Sequence, residues 1–178
     1  GSMMLNGEPY KAASPSKAAE MGISMIHQEL NIERNLTIAE SIFLHREHRV
    51  GGTHLLDKKK TNAVTQELLN RFGMTQRPTQ QMGELNIAQC QMIEIIRAVS
   101  CGAKMIIMDE PTSSLDSEET KKLFQIIRDL KQQGVSIIYI SHRMEEIFEI
   151  CDRVSVFRDG EFIISTELSQ TNKAELIS

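Results

Sequence analysis

The sequence contains no tryptophan, and aromatic residues make up only 4% of its 178 residues. Leu, Ile, Val and Met must therefore fill the core, and the ten methionines are most simply core residues. The three cysteines, at positions 90, 101 and 151, lie far apart in sequence. Their spacing fits neither a zinc site nor a disulfide framework, so we expect reduced thiols.

The sequence also lacks long apolar runs and an excess of positive charge. No run approaches the length of a membrane-spanning helix, and no signal peptide is recognisable, so any membrane association is expected to need a partner. The formal net charge is −4, which gives no electrostatic case for binding nucleic acid. We expect residues 1–3, Gly-Ser-Met, to be the remnant of an expression tag.

The chain divides into regions of different periodicity. Residues 4–30 and 102–168 are predicted to form an α/β core, because short apolar strands alternate there with amphipathic helices. Residues 31–101 carry mostly helix signals and are predicted to form a helical subdomain inserted between two strands of the sheet. Residues 169–178 are expected to begin a further, truncated helix.

Three apolar segments are predicted to be the strands of a parallel sheet. They lie at 23–27, 104–108 and 135–140, and the second contains the unbroken apolar run Met105 to Met108. Such runs are typical of strands that are buried on both faces by helices. A hairpin is predicted around Asp159-Gly160, since this pair favours a tight turn between strands.

The helical region carries recognisable N-terminal caps. Thr37 is predicted to cap a helix that runs to about Arg46, and Asp57 is predicted to cap a second helix. Asn86 is predicted to cap a third, because Asn86 and Gln89 have the spacing of a capping box.

Two adjacent carboxylates, Asp109 and Glu110, directly follow a predicted buried strand. Ligands of open parallel sheets bind beyond the carboxyl ends of the strands. One carboxylate there can hold Mg²⁺ through water, and the other can orient or deprotonate an attacking water. Taken alone, the two acids are more simply a solvated turn at the end of a strand, because strand ends often carry polar residues.

A histidine follows the next predicted strand, in Ser141-His142-Arg143. The ends of neighbouring parallel strands meet at one edge of the sheet, so His142 is expected near the acids. A single histidine is usually structural or exposed, but beside an acidic strand end it is a plausible contact for phosphate or water.

Together these segments resemble the ATP-binding cassette of ABC proteins. Residues 105–116 are similar to the Walker B strand, catalytic glutamate and D-loop, and His142 matches the switch histidine. Ile-His-Gln-Glu-Leu at 26–30 resembles the Q-loop, and Leu-Asn-Ile-Ala-Gln at 85–89 stands where the signature motif is expected. The residues of these motifs are similar to those in bacterial sugar importers of the ribose, galactose and xylose type. The ATPase of these importers has two fused cassettes. The similarity is to the first cassette.

The resemblance implies an incomplete P-loop NTPase (ABC) domain, with a parallel sheet core and an inserted helical subdomain. It implies that Glu110 is the general base and that His142 contacts the γ-phosphate of ATP. It further implies that Asp109 and Gln28 bind Mg²⁺ in the intact protein, with Gln28 also contacting the attacking water.

The remaining roles concern a second cassette. The resemblance implies that Asn86, Ala88 and Gln89 present the signature helix to ATP held by the opposite cassette, and that Ser114 and Asp116 belong to the loop that crosses the dimer. A helix N-terminus does favour anions. Here, however, Ile87 and Ala88 replace the usual glycines, and a Cβ at each position restricts the approach of phosphate. The phosphate contact at this motif therefore stays open.

The phosphate-binding loop is missing from the 178 residues. No two glycines are spaced as in Gly-x-x-x-x-Gly, and no Gly-Lys dipeptide occurs. We therefore expect this chain to bind no ATP or Mg²⁺ tightly and to be inactive, although the intact protein uses both. We also expect it to self-associate through an open edge of its sheet.

By resemblance, the intact protein is a cytoplasmic subunit, peripheral on the inner membrane, that pairs with transmembrane permease subunits and a second cassette. Two alternatives stay open: a soluble ABC protein without a transport role, and a truncated regulatory or interaction protein without ATPase activity.

Overall fold

The computed structural model describes residues 2–5, 7–11, 14–28, 33–51 and 55–177. The predicted boundary between the first two regions, at residues 30 and 31, lies outside the described residues. The regular elements, in chain order, are β1 (Met3–Leu5), β2 (Glu8–Tyr10), α1 (Pro15–Glu20), β3 (Ile23–Ile26), α2 (Ile38–Ile42), α3 (Lys58–Arg71), α4 (Ile87–Ser100), β4 (Met105–Asp109), α5 (Ser117–Gln132), β5 (Ser136–Ile140), α6 (Met144–Ile150), β6 (Arg153–Arg158), β7 (Glu161–Glu167) and α7 (Lys173–Ile177).

A three-stranded parallel sheet, in the order β3-β4-β5, forms the centre of the α/β part. Ile26 lies opposite Met108, and Asp109 lies opposite Ile140. Because the strands run the same way and end in register, their carboxyl ends form one edge of the sheet. The prediction of a parallel core is confirmed.

One face of this sheet is well covered. Ile106 and Met108 are fully buried there, against apolar side chains from α4 and α5. The opposite face is open: Met25 is 42% exposed, Ile138 45% and Ile140 44%. The prediction of burial on both faces is therefore wrong for β5, whereas the residues of β4 on the open side, such as Ile107, are half-buried. Among the described residues, helices pack closely against only one face of the sheet.

The helices α2, α3 and α4 pack around a second core. The predicted caps are present: Thr37 and Asn86 each form a capping box, and the Asp57 side chain accepts a hydrogen bond from the Lys60 backbone N–H. The first of these helices is shorter than predicted, because it ends at Ile42 rather than near Arg46. His45 has a left-handed backbone (φ 63°), and the Arg46 guanidinium donates to the freed Ile42 carbonyl.

The helix α4 joins the two cores. Ile95 and Ala98 face the core under the sheet, whereas Ile93 and Ile96 face the core of the helical part. All four are almost completely buried. Both regions therefore share one helix as a common wall.

The hairpin of β6 and β7 is present as predicted, and its turn residues Asp159 and Gly160 both have positive φ (51° and 81°). Among the described residues, it is a separate two-stranded sheet without backbone pairing to β5. No helix in the described part of the chain is long and apolar enough to cross a membrane.

We predict that Ile95→Ala lowers the free energy of unfolding by about 2–5 kcal/mol, because it opens a cavity where α4 meets the sheet. Ile87→Ala is the matched control on the same helix, since Ile87 is 56% exposed, and it should change stability by less than about 0.5 kcal/mol. Urea unfolding followed by circular dichroism measures both. Equal effects of the two substitutions would contradict this packing of α4.

Candidate functional site

The acid pair lies at the carboxyl end of β4. Asp109 is the last residue of the strand, and the backbone N–H of Glu110 donates to the Ile140 carbonyl of β5 at 2.9 Å. Glu110 has φ 44°, a left-handed conformation that an L-residue adopts only at a cost. Strained backbone of this kind concentrates at functional sites.

His142 lies beside Glu110, as the strand order predicts. Its Nδ1 is 2.8 Å from Oε1 of the Glu110 carboxylate. An ionised carboxylate only accepts hydrogen bonds, so the proton of this contact is on Nδ1. The imidazole is largely exposed (72%), whereas the carboxylate is more sheltered (27%). The pair therefore faces solvent, where a substrate can reach it.

A second, buried carboxylate lies behind this pair and was missed by the sequence reasoning. Glu146 of α6 is only 5% exposed and accepts hydrogen bonds from Thr112, Tyr139 and Ser141. Burial, and then the hydrogen bond to Glu146, raise the pKa of the Tyr139 hydroxyl. The i, i+2 spacing of Tyr139 and Ser141 places both side chains on one face, but nothing in the sequence indicates that Glu146 meets them there.

Gln28 lies two residues beyond the end of β3. The register of β3 and β4 places it at the same edge of the sheet as the acid pair. The Gln28 residue is exposed. It therefore follows the strand that neighbours the one carrying Asp109.

The three signature residues lie elsewhere. Asn86, Ala88 and Gln89 line a cavity of about 280 Å³, together with residues of α5 and the loop before it such as Leu115 and Glu119. Among the described residues that line this cavity, Asp109, Glu110 and His142 are absent. The Asn86 side chain accepts from the Gln89 backbone N–H at 2.8 Å and thereby caps α4.

Ser114 and Asp116 are exposed in the loop that follows the acid pair. One oxygen of the Asp116 carboxylate accepts from the backbone N–H groups of Glu118 and Glu119, both at 2.8 Å. Asp116 therefore caps α5, and this fixes where the loop ends.

The donor set at the acid pair fits Mg²⁺. Asp109 and Glu110 offer hard carboxylate oxygens at a partly exposed position, and Mg²⁺ is typically held by one or two carboxylates while it keeps several waters. Among the described residues, no group of three or more His, Cys, Asp or Glu residues forms an all-protein metal site. These residues therefore suit a cation that arrives with water and substrate oxygens.

Solved structures with the same fold are ATP-binding cassettes. One, an ATP-binding cassette of an ABC transporter, has a TM-score of 0.77 at 19% identity and covers 98% of this chain and 75% of that one. Another, a dimeric cassette in a post-hydrolysis state bound to ADP and phosphate, has a TM-score of 0.75 at 19% identity, with coverages of 94% and 73%. The fold class is thus that of an ABC ATPase cassette.

The protein family of the chain is shown by a match to a sequence model of that family. The ABC transporter family model matches residues 1–113, which include the acid pair, and the chain belongs to this family.

Curated relatives match the chain over almost its whole length. The ribose import ATP-binding protein RbsA of Geobacillus kaustophilus is 47% identical over 177 residues, which are 99% of this chain and 36% of that protein. The galactose/methyl galactoside import ATP-binding protein MglA 1 of Photobacterium profundum is 48% identical, also over 177 residues, with coverages of 99% and 36%. The chain therefore spans just over a third of the length of these relatives.

The positive φ at Glu110 generates a prediction about stability. Glu110→Gly should be more stable than Glu110→Ala by about 1 kcal/mol, because glycine has no Cβ to resist the left-handed conformation. Gln125 within α5 provides the control, since there the alanine variant should be more stable than the glycine variant by about 1 kcal/mol. Urea unfolding of the four variants measures both differences. The same order at both positions would refute the strained conformation.

Proposed function

We propose that these 178 residues are part of the ATP-binding subunit that powers sugar import through an ABC transporter. The observation that carries this is the Glu110–His142 contact at the shared end of parallel strands, in a chain of the ABC transporter family. The relatives named above are ribose and galactose/methyl galactoside import proteins, which supports a sugar as the cargo.

In the intact protein, Glu110 is the general base that takes a proton from the attacking water. Its exposed partner His142 contacts the γ-phosphate of ATP and keeps the carboxylate oriented. Asp109 and Gln28, at neighbouring strand ends, would hold Mg²⁺, Asp109 through water. The ion would neutralise charge that develops on the phosphate oxygens.

The other sequence motifs belong to contacts between cassettes. Asn86, Ala88 and Gln89 face ATP on a second cassette, and Ser114 and Asp116 cross between the two. The transmembrane permease subunits are the further partners, so the intact protein works at the cytoplasmic face of the inner membrane. Exposure of Asn86, Ser114 and Asp116 in this chain supports such contacts.

The 178-residue chain itself is proposed to be inactive. A triphosphate is held mainly by a nest of backbone N–H groups and a lysine, and the sequence contains no Gly-x-x-x-x-Gly-Lys motif to supply them. The acid pair and His142 alone offer ATP two negative charges and one imidazole. The net electrostatic contribution of this edge therefore opposes tight binding in the absence of a cation.

A phosphate-release assay on two proteins tests this function. The 178-residue chain should release no phosphate above background and show no micromolar ATP binding by calorimetry. The full-length protein that carries these residues should hydrolyse ATP, and Glu110→Gln in it should lower kcat by about 10²–10⁴-fold while ATP binding is retained. Micromolar ATP binding by the short chain, or full activity of the Gln variant, would overturn the proposal.

We further propose that the 178-residue chain self-associates. Within the described residues, β5 pairs only with β4 and β6 only with β7, so each has an unpaired backbone edge. A groove of about 740 Å³ lies between these two strands, next to the open apolar face of the sheet. Unpaired edges and exposed apolar surface favour pairing with another copy.

Sedimentation velocity over a concentration series tests the self-association. The chain should form dimers or larger species as concentration rises, and a double substitution of Ile138 and Ile140 to Lys should shift it towards monomer. Ile87→Lys is the control, because Ile87 is exposed to a similar degree (56%) but lies on α4. A monomer at every concentration would contradict the proposal.

A further inference from the structure

The Glu146 carboxylate is unusual because an acidic side chain is buried there. It is 5% exposed, yet both of its oxygens are occupied by hydroxyl donors: Thr112 at 2.8 Å, Tyr139 at 2.7 Å and Ser141 at 3.2 Å. The Arg143 guanidinium adds an ion pair at 2.7 Å. A buried carboxylate is costly unless it is paired and hydrogen-bonded, and here those requirements are met.

Two of these donors are covalently close to the candidate catalytic pair. Thr112 lies two residues after Glu110, and Ser141 directly precedes His142. One carboxylate therefore holds the loop that carries the general base and the end of the strand that carries the histidine. Glu146 itself contacts neither Glu110 nor His142 through any hydrogen bond between described residues.

The backbone conformation of Glu110 explains why the hydrogen bonds of Thr112 and Ser141 to Glu146 matter. Its left-handed φ of 44° is maintained only if the surroundings hold the loop in place. On one side, the Glu110 N–H is bonded to Ile140. On the other side, the Thr112 hydroxyl, itself on a residue only 2% exposed, is bonded to Glu146. Without the Thr112–Glu146 bond, the backbone of Glu110 keeps only its bond to Ile140 and the local bond that its carbonyl accepts from the Ser113 N–H at 3.2 Å.

We propose that Glu146 is a positioning residue that sets the distance between the Glu110 carboxylate and the His142 imidazole by holding Thr112 and Ser141 together. This rests on the proposed function for its catalytic consequence, but the geometry it predicts is independent of activity. A purely structural role, by contrast, requires only that Glu146 stabilises the first turn of α6, to which it belongs.

The test compares two substitutions of the same kind. Thr112→Val removes the hydroxyl that joins the loop to Glu146. Thr61→Val is the control, because Thr61 is also buried (8%) and its hydroxyl also donates one hydrogen bond, to the Asp57 carbonyl in the helical part. Both variants should stay folded, and Thr112→Val should be the more destabilised of the two because its hydrogen bond is to a carboxylate rather than to a neutral carbonyl. Glu146→Gln serves as a third, isosteric variant.

The readout on the 178-residue chain is the ring-nitrogen NMR spectrum of His142. In the unsubstituted chain, the proton on Nδ1 should be seen as the dominant tautomer, held by Glu110. Thr112→Val and Glu146→Gln should each lower that tautomer's population by at least about twofold, because the carboxylate is no longer held in reach. An unchanged His142 spectrum in both variants, or an equal change in Thr61→Val, would overturn the proposal.

The readout on the full-length protein separates this inference from the function on which it rests. Thr112→Val should lower kcat by about tenfold or more with KM for ATP within about twofold, since it misplaces a base without removing a binding contact. Thr61→Val should leave kcat within about twofold. If the unsubstituted full-length protein does not hydrolyse ATP, the proposed function fails while the NMR result still decides the role of Glu146. A fall in kcat equal to that of Thr61→Val would contradict the positioning role.

Discussion

The parallel register of β3, β4 and β5 is the constraint on which the candidate site depends. Strands in register end at one edge, so Asp109 lies opposite Ile140, and the residues that follow each strand meet there. The 2.8 Å contact between Glu110 and His142 joins residues 32 positions apart, and only the sheet brings them together. A slip of one residue between β4 and β5 would turn alternate side chains to the opposite face and separate the pair.

The sheet that carries this edge is stabilised by α4, which packs into both hydrophobic cores. The helix α4 contributes Ile95 to the core under the sheet and Ile96 to the core of the helical part, so neither region can shift without disturbing the other. Its N-terminus carries the Asn86 capping box, and its body supports β4. The signature residues are therefore placed by the same helix that supports the acid-bearing strand, although they lie at a different cavity.

Much of this arrangement is predictable from sequence because it rests on local rules. The strand positions, the caps at Thr37, Asp57 and Asn86, and the hairpin turn each follow from short patterns, and the meeting of Glu110 with His142 follows from strand order. Two features were not predictable. The open face of β5 depends on what packs against it, since an apolar run has the same appearance whether or not it is covered. The Glu146 cluster joins residues 34 positions apart by hydroxyls that are individually typical of solvated positions.

The structure also separates two requirements of phosphoryl chemistry. The acid and histidine of the proposed site follow β4 and β5, and the buried Glu146 bonds to Thr112 and Ser141 beside them, all within residues 105–150. The backbone nest that would hold a triphosphate is absent from the sequence, yet the Glu110–His142 contact forms without it. It follows that the Glu110–His142 contact is specified by strand order and by hydrogen bonds within residues 105–150. The preorganisation resides in hydrogen bonds that the chain makes to itself, and these bonds also offset the cost of the strained backbone at Glu110.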